Sequence, residues 1–551
     1  MVKKSMKKLF VTLAAFSAVS LSASADTLTT SQNFFQPRAF SANLAREMLM
    51  EGSKHRDTNG WYGEFSATAA YQRSWGQDVR NSDGGAELAD SVNGLGVHPF
   101  WSGTNVMTIG TNGTSGVANA NLDAYQFGLG SVTNYTDATI TLNPIVYQAG
   151  ADFMFIVGSS ANEPCFFAKL KAPVGLYNIN PNLTEVEATA VAYVPGALTL
   201  TNLSADPAAT MTQAFAGYLP DGQIAQGDFS PMQYGLIDGD QSSGARFGDI
   251  ELTAGYRFIS NDDNSFSVAV RAAAPTGGRA QGVYMMEPIF GRGGNWGLGG
   301  YVDGHVKLWE GNNDNSFQLK FIANAMHLFD ADTVRSYDLT ANGAGSKYLL
   351  VANYGSSAST TYLSSIANLI NYSTLASTSS FGVEGDAALA FTYMGRGWSL
   401  DLGYEFWGRS AETLEITEGF ANNAYAVLGR QGVGVSGTPS TYSNACQPLA
   451  QINLAANAST SVVTAAGPAV AQTDLVDATS YVNRIALADL NVEGAQQATA
   501  LTSKVFTKVT YEWIDNNYRP HLGVMGEFEI STSDNNALPQ WGVSLVGGIS
   551  F

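Results

Sequence analysis

The sequence predicts an all-β fold, a transmembrane antiparallel β-barrel of about fourteen strands, with twelve or sixteen as the neighbouring even counts. Three observations lead there. Apolar and polar residues alternate with a period of two in many separate stretches, as strands with two unlike faces require. The connections between these stretches are sorted, short polar turns alternating with long segments, which places the two kinds on opposite rims. The chain ends on such a strand, residues 540–551, with Trp541, Val543, Leu545, Gly547, Ile549 and Phe551 on one face and Gly542, Ser544, Val546, Gly548 and Ser550 on the other.

The first residues are not part of the barrel. Lys3, Lys4, Lys7 and Lys8 precede an apolar run over 9–21 and the small residues Ala23, Ser24 and Ala25, so residues 1–25 read as a secretory signal peptide. That run is too short for a permanent membrane helix, and no later stretch is long and apolar enough for one. Losing those lysines makes the exported chain more acidic than the formal −19 of the whole sequence. An acidic chain repels phosphate, which excludes nucleic acid as a partner. With 45% hydrophobic and only 14% charged residues, the chain is not a disordered one.

Residues 26–60 form an N-terminal periplasmic or plug segment. Phe40, Leu44 and Met48 recur at helical spacing, with Leu49 alongside, and this stripe would stay in water unless the segment entered the lumen. The barrel itself takes residues 61–551. Strands are expected over 61–75, 122–132, 138–147, 151–158, 166–177, 245–259, 265–274, 295–309, 316–329, 383–393, 398–409, 504–513, 518–530 and 540–551. In the first, Trp61, Phe65, Ala67, Ala69 and Tyr71 oppose Glu64, Ser66, Thr68 and Gln72. Short turns fall at 160–164, 260–264, 310–315, 394–397 and 514–517. The longest external loops are 178–244, 330–382 and 410–502, and a soluble sandwich has no reason to sort its loops in this way.

If the apolar faces meet lipid, the polar faces line a lumen. The pore-lining candidates are Glu384, Asp386, Asp401, Glu405, Arg409, Lys504, Lys508, Glu527 and Glu529. Lys504 and Lys508 lie on a strand between two acidic ones, an arrangement for a transverse field across a pore or for a ladder of salt bridges. Leu363, Ile366 and Ile370 have helical spacing within 360–372, and residues 475–490 suggest a second helix; the first is a candidate constriction loop, or otherwise a surface cap.

The chemistry of catalysis is missing. His305 and His521 stand among carboxylates without a nucleophile in a recognisable motif, and the Gly-rich run 291–300 has no helix after it. His55, His98, His305, His327 and His521 lack metal-ligand spacing, so no enzyme activity, metal or other cofactor is assigned. Cys165 and Cys446 either close one disulfide or remain separate thiols, and the sequence leaves both open.

The closing strand resembles that of bacterial outer-membrane β-barrels, in which a terminal Phe serves as the assembly signal; the resemblance gives that role to Phe551. The strand over 248–258 (GDIELTAGYRF), followed by Ala274, Pro275, Thr276 and Gly277, resembles the phenol-degradation and fatty-acid and aromatic-hydrocarbon channel families. The resemblance implies a barrel of about fourteen strands and, in the fatty-acid branch, an N-terminal hatch inside it. The Asn-Pro-Ala motif of that hatch is absent, the nearest text being Ser41-Ala42-Asn43-Leu44-Ala45.

The expected function is a porin-like outer-membrane channel for passive diffusion of small solutes, in the cell outer membrane of a Gram-negative-type bacterium. The alternatives are a surface structural or adhesive barrel acting through its long loops, and an uptake channel for hydrophobic compounds. Expected partners are outer-membrane lipid, small solutes and the barrel-assembly machinery.

Overall fold

The computed structural model describes residues 38–52, 60–74, 106–110, 122–127, 138–142, 144–160, 163–186, 210–218, 229–261, 263–311, 315–356, 363, 365–427, 484–514, 518–531 and 537–551. The signal-peptide expectation for 1–25 and the residue Cys446 lie outside these, whereas Cys165 is buried at the start of a strand.

The strands of the wall are β1 (Tyr62–Ser74), β2 (Ile145–Gly158), β3 (Cys165–Asn180), β4 (Ile250–Ser260), β5 (Asn264–Ala274) and β6 (Gly297–Glu310). They continue as β7 (Ser316–Ser336), β8 (Thr374–Gly395), β9 (Trp398–Arg409), β10 (Ala500–Glu512), β11 (Arg519–Ser531) and β12 (Gln540–Ser550). Each pairs antiparallel with its neighbours in sequence, and β12 pairs with β1, Ser550 opposite Glu64 and Gln540 opposite Ser74, so the sheet closes and has no edge.

Among the described residues the wall thus has twelve strands rather than fourteen. Of the expected strands over 122–132 and 138–147, Leu122–Asp123 and Ala138–Leu142 are strand but belong to a small sheet with Val106–Gly110 and Leu183–Val186, while residues 145–147 open β2. The expected strands over 138–147 and 151–158 stop short of each other, but β2 runs straight through residues 148–150. Gly150 faces Gly175 of β3, and a Cβ on it would lie 2.5 Å from the Val174 carbonyl oxygen. The glycine therefore serves a close approach of two backbones. β7 and β8 also run farther than their alternation suggests, because beyond the membrane both faces of this hairpin meet polar or protein surroundings and the apolar rhythm has no function there.

The hairpins at one rim are tight. Arg396 and Gly397, with φ of 52° and 82°, make the two-residue turn between β8 and β9 in the left-handed geometry that matches strand twist. The other rim carries the long connections. The outward faces expose Phe65, Phe155, Leu170, Leu252, Val270, Leu298, Leu402, Val505, Val524 and Leu545, with Trp61, Phe166, Phe258, Trp309, Trp398, Trp513, Tyr518 and Phe551 toward the short-turn rim. No described helix is long and apolar enough to cross a membrane. A closed sheet with an apolar belt, aromatic residues at a rim and buried charges inside is a barrel of the Gram-negative outer membrane, its short turns periplasmic.

Phe551 sits where closure is made. Its N–H donates to the Gly63 carbonyl and Gly63 N–H donates back, both at 2.8 Å. A Cβ at Gly63 would come within 2.5 Å of the Phe551 ring. Gly63→Leu is expected to force the terminal ring off β1 and lower barrel stability by about 1–3 kcal/mol; urea unfolding followed by tryptophan fluorescence measures it, and an unchanged midpoint contradicts the role.

Candidate functional site

The inner faces of the wall strands meet residues 38–52, whose helix α1 (Leu44–Met50) is buried on every side and packed against β1, β7, β8, β9, β10, β11 and β12. Asn43 caps the helix, its side-chain oxygen accepting from Arg46 N–H at 2.9 Å. The Glu405 carboxylate of β9 accepts from the Leu44 and Ala45 N–H groups at 3.3 and 3.0 Å, where a helix start favours negative charge.

The segment is charged, and its charges are answered by the wall. Arg38 binds Glu405, Glu529 at 3.1 Å and Asp386 at 3.5 Å. Arg46 donates to Asp152 of β2 at 2.5 Å and lies over the Phe40 ring, 3.9 Å from its centre. Glu47 points the other way, accepting from Arg271 at 2.6 Å and from the Tyr301 hydroxyl at 3.2 Å, with Lys171 at 3.6 Å and Lys169 at 3.7 Å. Burial raises the Glu47 carboxyl, but Arg271, Lys171 and Lys169 outweigh it and bring its pKa down to about 2. Glu51 binds Lys169, Met48 carbonyl accepts from Lys508 at 2.7 Å, and Gly52 N–H donates to Glu64 at 2.5 Å. Burying such groups costs several kcal/mol each unless they are paired, so the pairing is what lets the segment stay.

Each candidate residue named from the sequence has a definite place. Glu405, Glu527 and Glu529 surround Lys504 at 3.5, 3.3 and 3.8 Å, and Gln72 and Asn43 donate to Glu527 at 2.5 and 3.0 Å. Lys508 stands 3.6 Å from Asp401, which also faces Lys320 at 3.8 Å. Asp386 accepts from Asn324 and lies 3.5 Å from the Arg38 guanidinium. Arg409 lies nearer the external rim, donating to Gln497 at 2.8 Å and covering the Phe381 ring. Glu384 binds Arg292.

Arg292 was not among the sequence candidates. It lies on the external connection between β5 and β6, yet it is buried in the lumen. Its guanidinium reaches Glu384 of β8 at 2.7 Å, Glu251 of β4 at 2.8 Å and Ser41 of the luminal segment at 3.3 Å, and its N–H donates to Asp249 at 2.6 Å. Phe290 of the same loop meets Phe40 with ring centres 5.4 Å apart. A φ of +123° at Gly291 permits the inward bend, and a Cβ there would meet the Asp249 carboxylate at 3.0 Å.

Above it the long loops form an apolar cap. Phe229–Ser230, Leu350–Asn353, Ile366–Asn368 and Tyr425–Val427 make a second small sheet. Phe127, Phe215 and Tyr348 pack at centre distances of 5.1, 5.5 and 5.9 Å. Asn368 donates to the Gln126 and Tyr348 carbonyls at 2.8 and 2.6 Å, tying separate loops together. The helix expected over 360–372 is corrected here: Ile366 begins a strand, Ile370 begins a single turn (Ile370–Ser373), and both are buried in the cap, whereas Leu363 is 51% exposed. Pairing with Leu350–Asn353 outweighed the helical spacing. Of the expected helix over 475–490 the described part holds only the short turn Leu487–Asp489.

The sequence matches no protein-family model and no curated protein. Among solved structures, the fold is similar to an outer-membrane channel from Pseudomonas putida F1 (9% identity, 90% of this chain and 97% of that one, TM-score 0.35). It is also similar to the P. putida toluene transporter TodX (9% identity, 94% and 95%, TM-score 0.29) and a Pseudomonas aeruginosa FadL homologue (6% identity, 90% and 90%, TM-score 0.23). These are likenesses of shape at low identity, and the membrane assignment rests on the barrel's own exterior.

Proposed function

We propose that the protein is an outer-membrane channel for small solutes that its own N-terminal segment holds closed. The observation that carries this reading is the seating of residues 38–52 against the inner wall: buried ion pairs and hydrogen bonds join them to it, beside an apolar cluster in which Leu44, Met48 and Leu49 meet Met154, Phe506 and Val546. An anchor that only displayed loops would gain nothing from so many buried charges on its axis. Free diffusion through the resting barrel, as in an open porin, does not fit this seating. The triple variant Arg38→Gln, Arg46→Gln, Glu47→Gln removes the segment's principal charges. Vesicles carrying it are expected to swell in small sugars at rates about tenfold above those of the wild type. Equal, negligible swelling of both, with barrels folded, sinks the channel reading.

A second reading, uptake of apolar compounds, is favoured by one observation. The apolar cluster of the cap continues down to Phe290 and Phe40, at the edge of the luminal segment. Fatty acid or detergent retained in purified protein and identified by mass spectrometry favours it; retention lost on Phe40→Asp places the compound in this cluster.

A further inference from the structure

We propose that the lumen, once residues 38–52 withdraw, selects small zwitterions, holding the cationic end on the β9 and β11 side and the anionic end on the β3 and β5 side. This rests on the channel reading above.

In a closed wall of twelve strands, strands six apart in order face each other, so β3 faces β9 and β5 faces β11. One side carries Lys169 and Lys171 of β3 and Arg271 of β5, with Glu251 between them, 3.7 Å from Lys171 and 3.8 Å from Arg271. The facing side carries Glu405 of β9, Glu527 and Glu529 of β11 and the neighbouring Asp386 of β8, with Lys504 between them. The first side is left with excess positive charge and the second with excess negative charge when the segment leaves.

Residues 38–52 are themselves dipolar and oriented by these walls. Arg38 lies against Asp386, Glu405 and Glu529, whereas Glu47 lies against Arg271, Lys171 and Lys169. A solute with net charge of either sign is drawn to one wall and repelled by the other. A solute with an ammonium and a carboxylate at opposite ends satisfies both, in the pose the segment shows.

The test uses the triple variant Arg38→Gln, Arg46→Gln, Glu47→Gln of the full chain in planar bilayers, with ε-aminocaproate, caproate and hexylammonium as probes of equal length. Interruption of the potassium current is read against probe concentration. The expected result is half-interruption by ε-aminocaproate at a concentration at least about fivefold below those of the singly charged probes. Adding Lys171→Gln and Arg271→Gln, or separately Asp386→Asn and Glu529→Gln, is expected to abolish that advantage; two poles tested apart guard against a misfolded variant. A conducting barrel that all three probes interrupt alike overturns the proposal while leaving the channel reading standing. A folded barrel without current overturns both.

Discussion

Glu47→Lys is expected to turn a silent barrel into a conducting one. The native carboxylate sits among Arg271, Lys171, Lys169 and the Tyr301 hydroxyl, and each of these contacts becomes repulsive or unanswered when an ammonium takes its place. Breaking a buried ion pair by changing one partner costs about 3–5 kcal/mol. That shifts the occupancy of the lumen by roughly two to three powers of ten, enough to reverse a closed state of ordinary stability. The wall strands keep their own pairs, Lys171 with Glu251 and Lys504 with its carboxylates, so the barrel itself is expected to fold. Time-averaged current in planar bilayers should rise about a hundredfold or more over the wild type.

Arg292→Ala is the second large effect, and its outcome depends on the first. This residue anchors the external loop across the lumen, from Glu251 on β4 to Glu384 on β8, directly over Ser41. Its loss leaves Asp249, Glu251 and Glu384 without their shared cation, and the loop is expected to leave the lumen. Alone, the substitution should open nothing, because residues 38–52 still fill the barrel below. Combined with Glu47→Lys it should enlarge the single-channel step by about twofold, since two obstructions then lie in series and both are removed. The same step size in Glu47→Lys and in the double variant shows that the loop does not obstruct the path.

The wall was legible because lipid imposes a period of two on every strand, and the loop sorting follows from having two unlike rims. The lining carboxylates and lysines followed from the same register: once Leu400, Leu402 and Tyr404 face lipid, Asp401 and Glu405 face inward. The stripe of Phe40, Leu44 and Met48 announced a helix in need of cover; α1 takes Leu44 and Met48, whereas Phe40 lies in a turn before its cap. What stayed hidden were the partners of Arg38, Arg46, Glu47 and Arg292. Their contacts join residues far apart in the chain, such as Arg38 with Glu529 and Arg46 with Asp152, and no local pattern marks an external loop that bends inward at Gly291. The cap was hidden for a related reason. Its strands are short and pair across separate loops, Ile366 with Ala352 and Val351 with Val427, so neither pairing leaves a signature in its own neighbourhood.

The most direct test of the closed-channel account is a charge swap read by single-channel recording. Glu47→Lys should conduct, and adding Arg271→Glu should return the barrel toward silence, lowering the open fraction at least about tenfold because the pair is restored with its signs exchanged. A double variant that conducts as freely as Glu47→Lys alone, or a Glu47→Lys barrel as silent as the wild type, contradicts the claim that residues 38–52 hold the lumen shut.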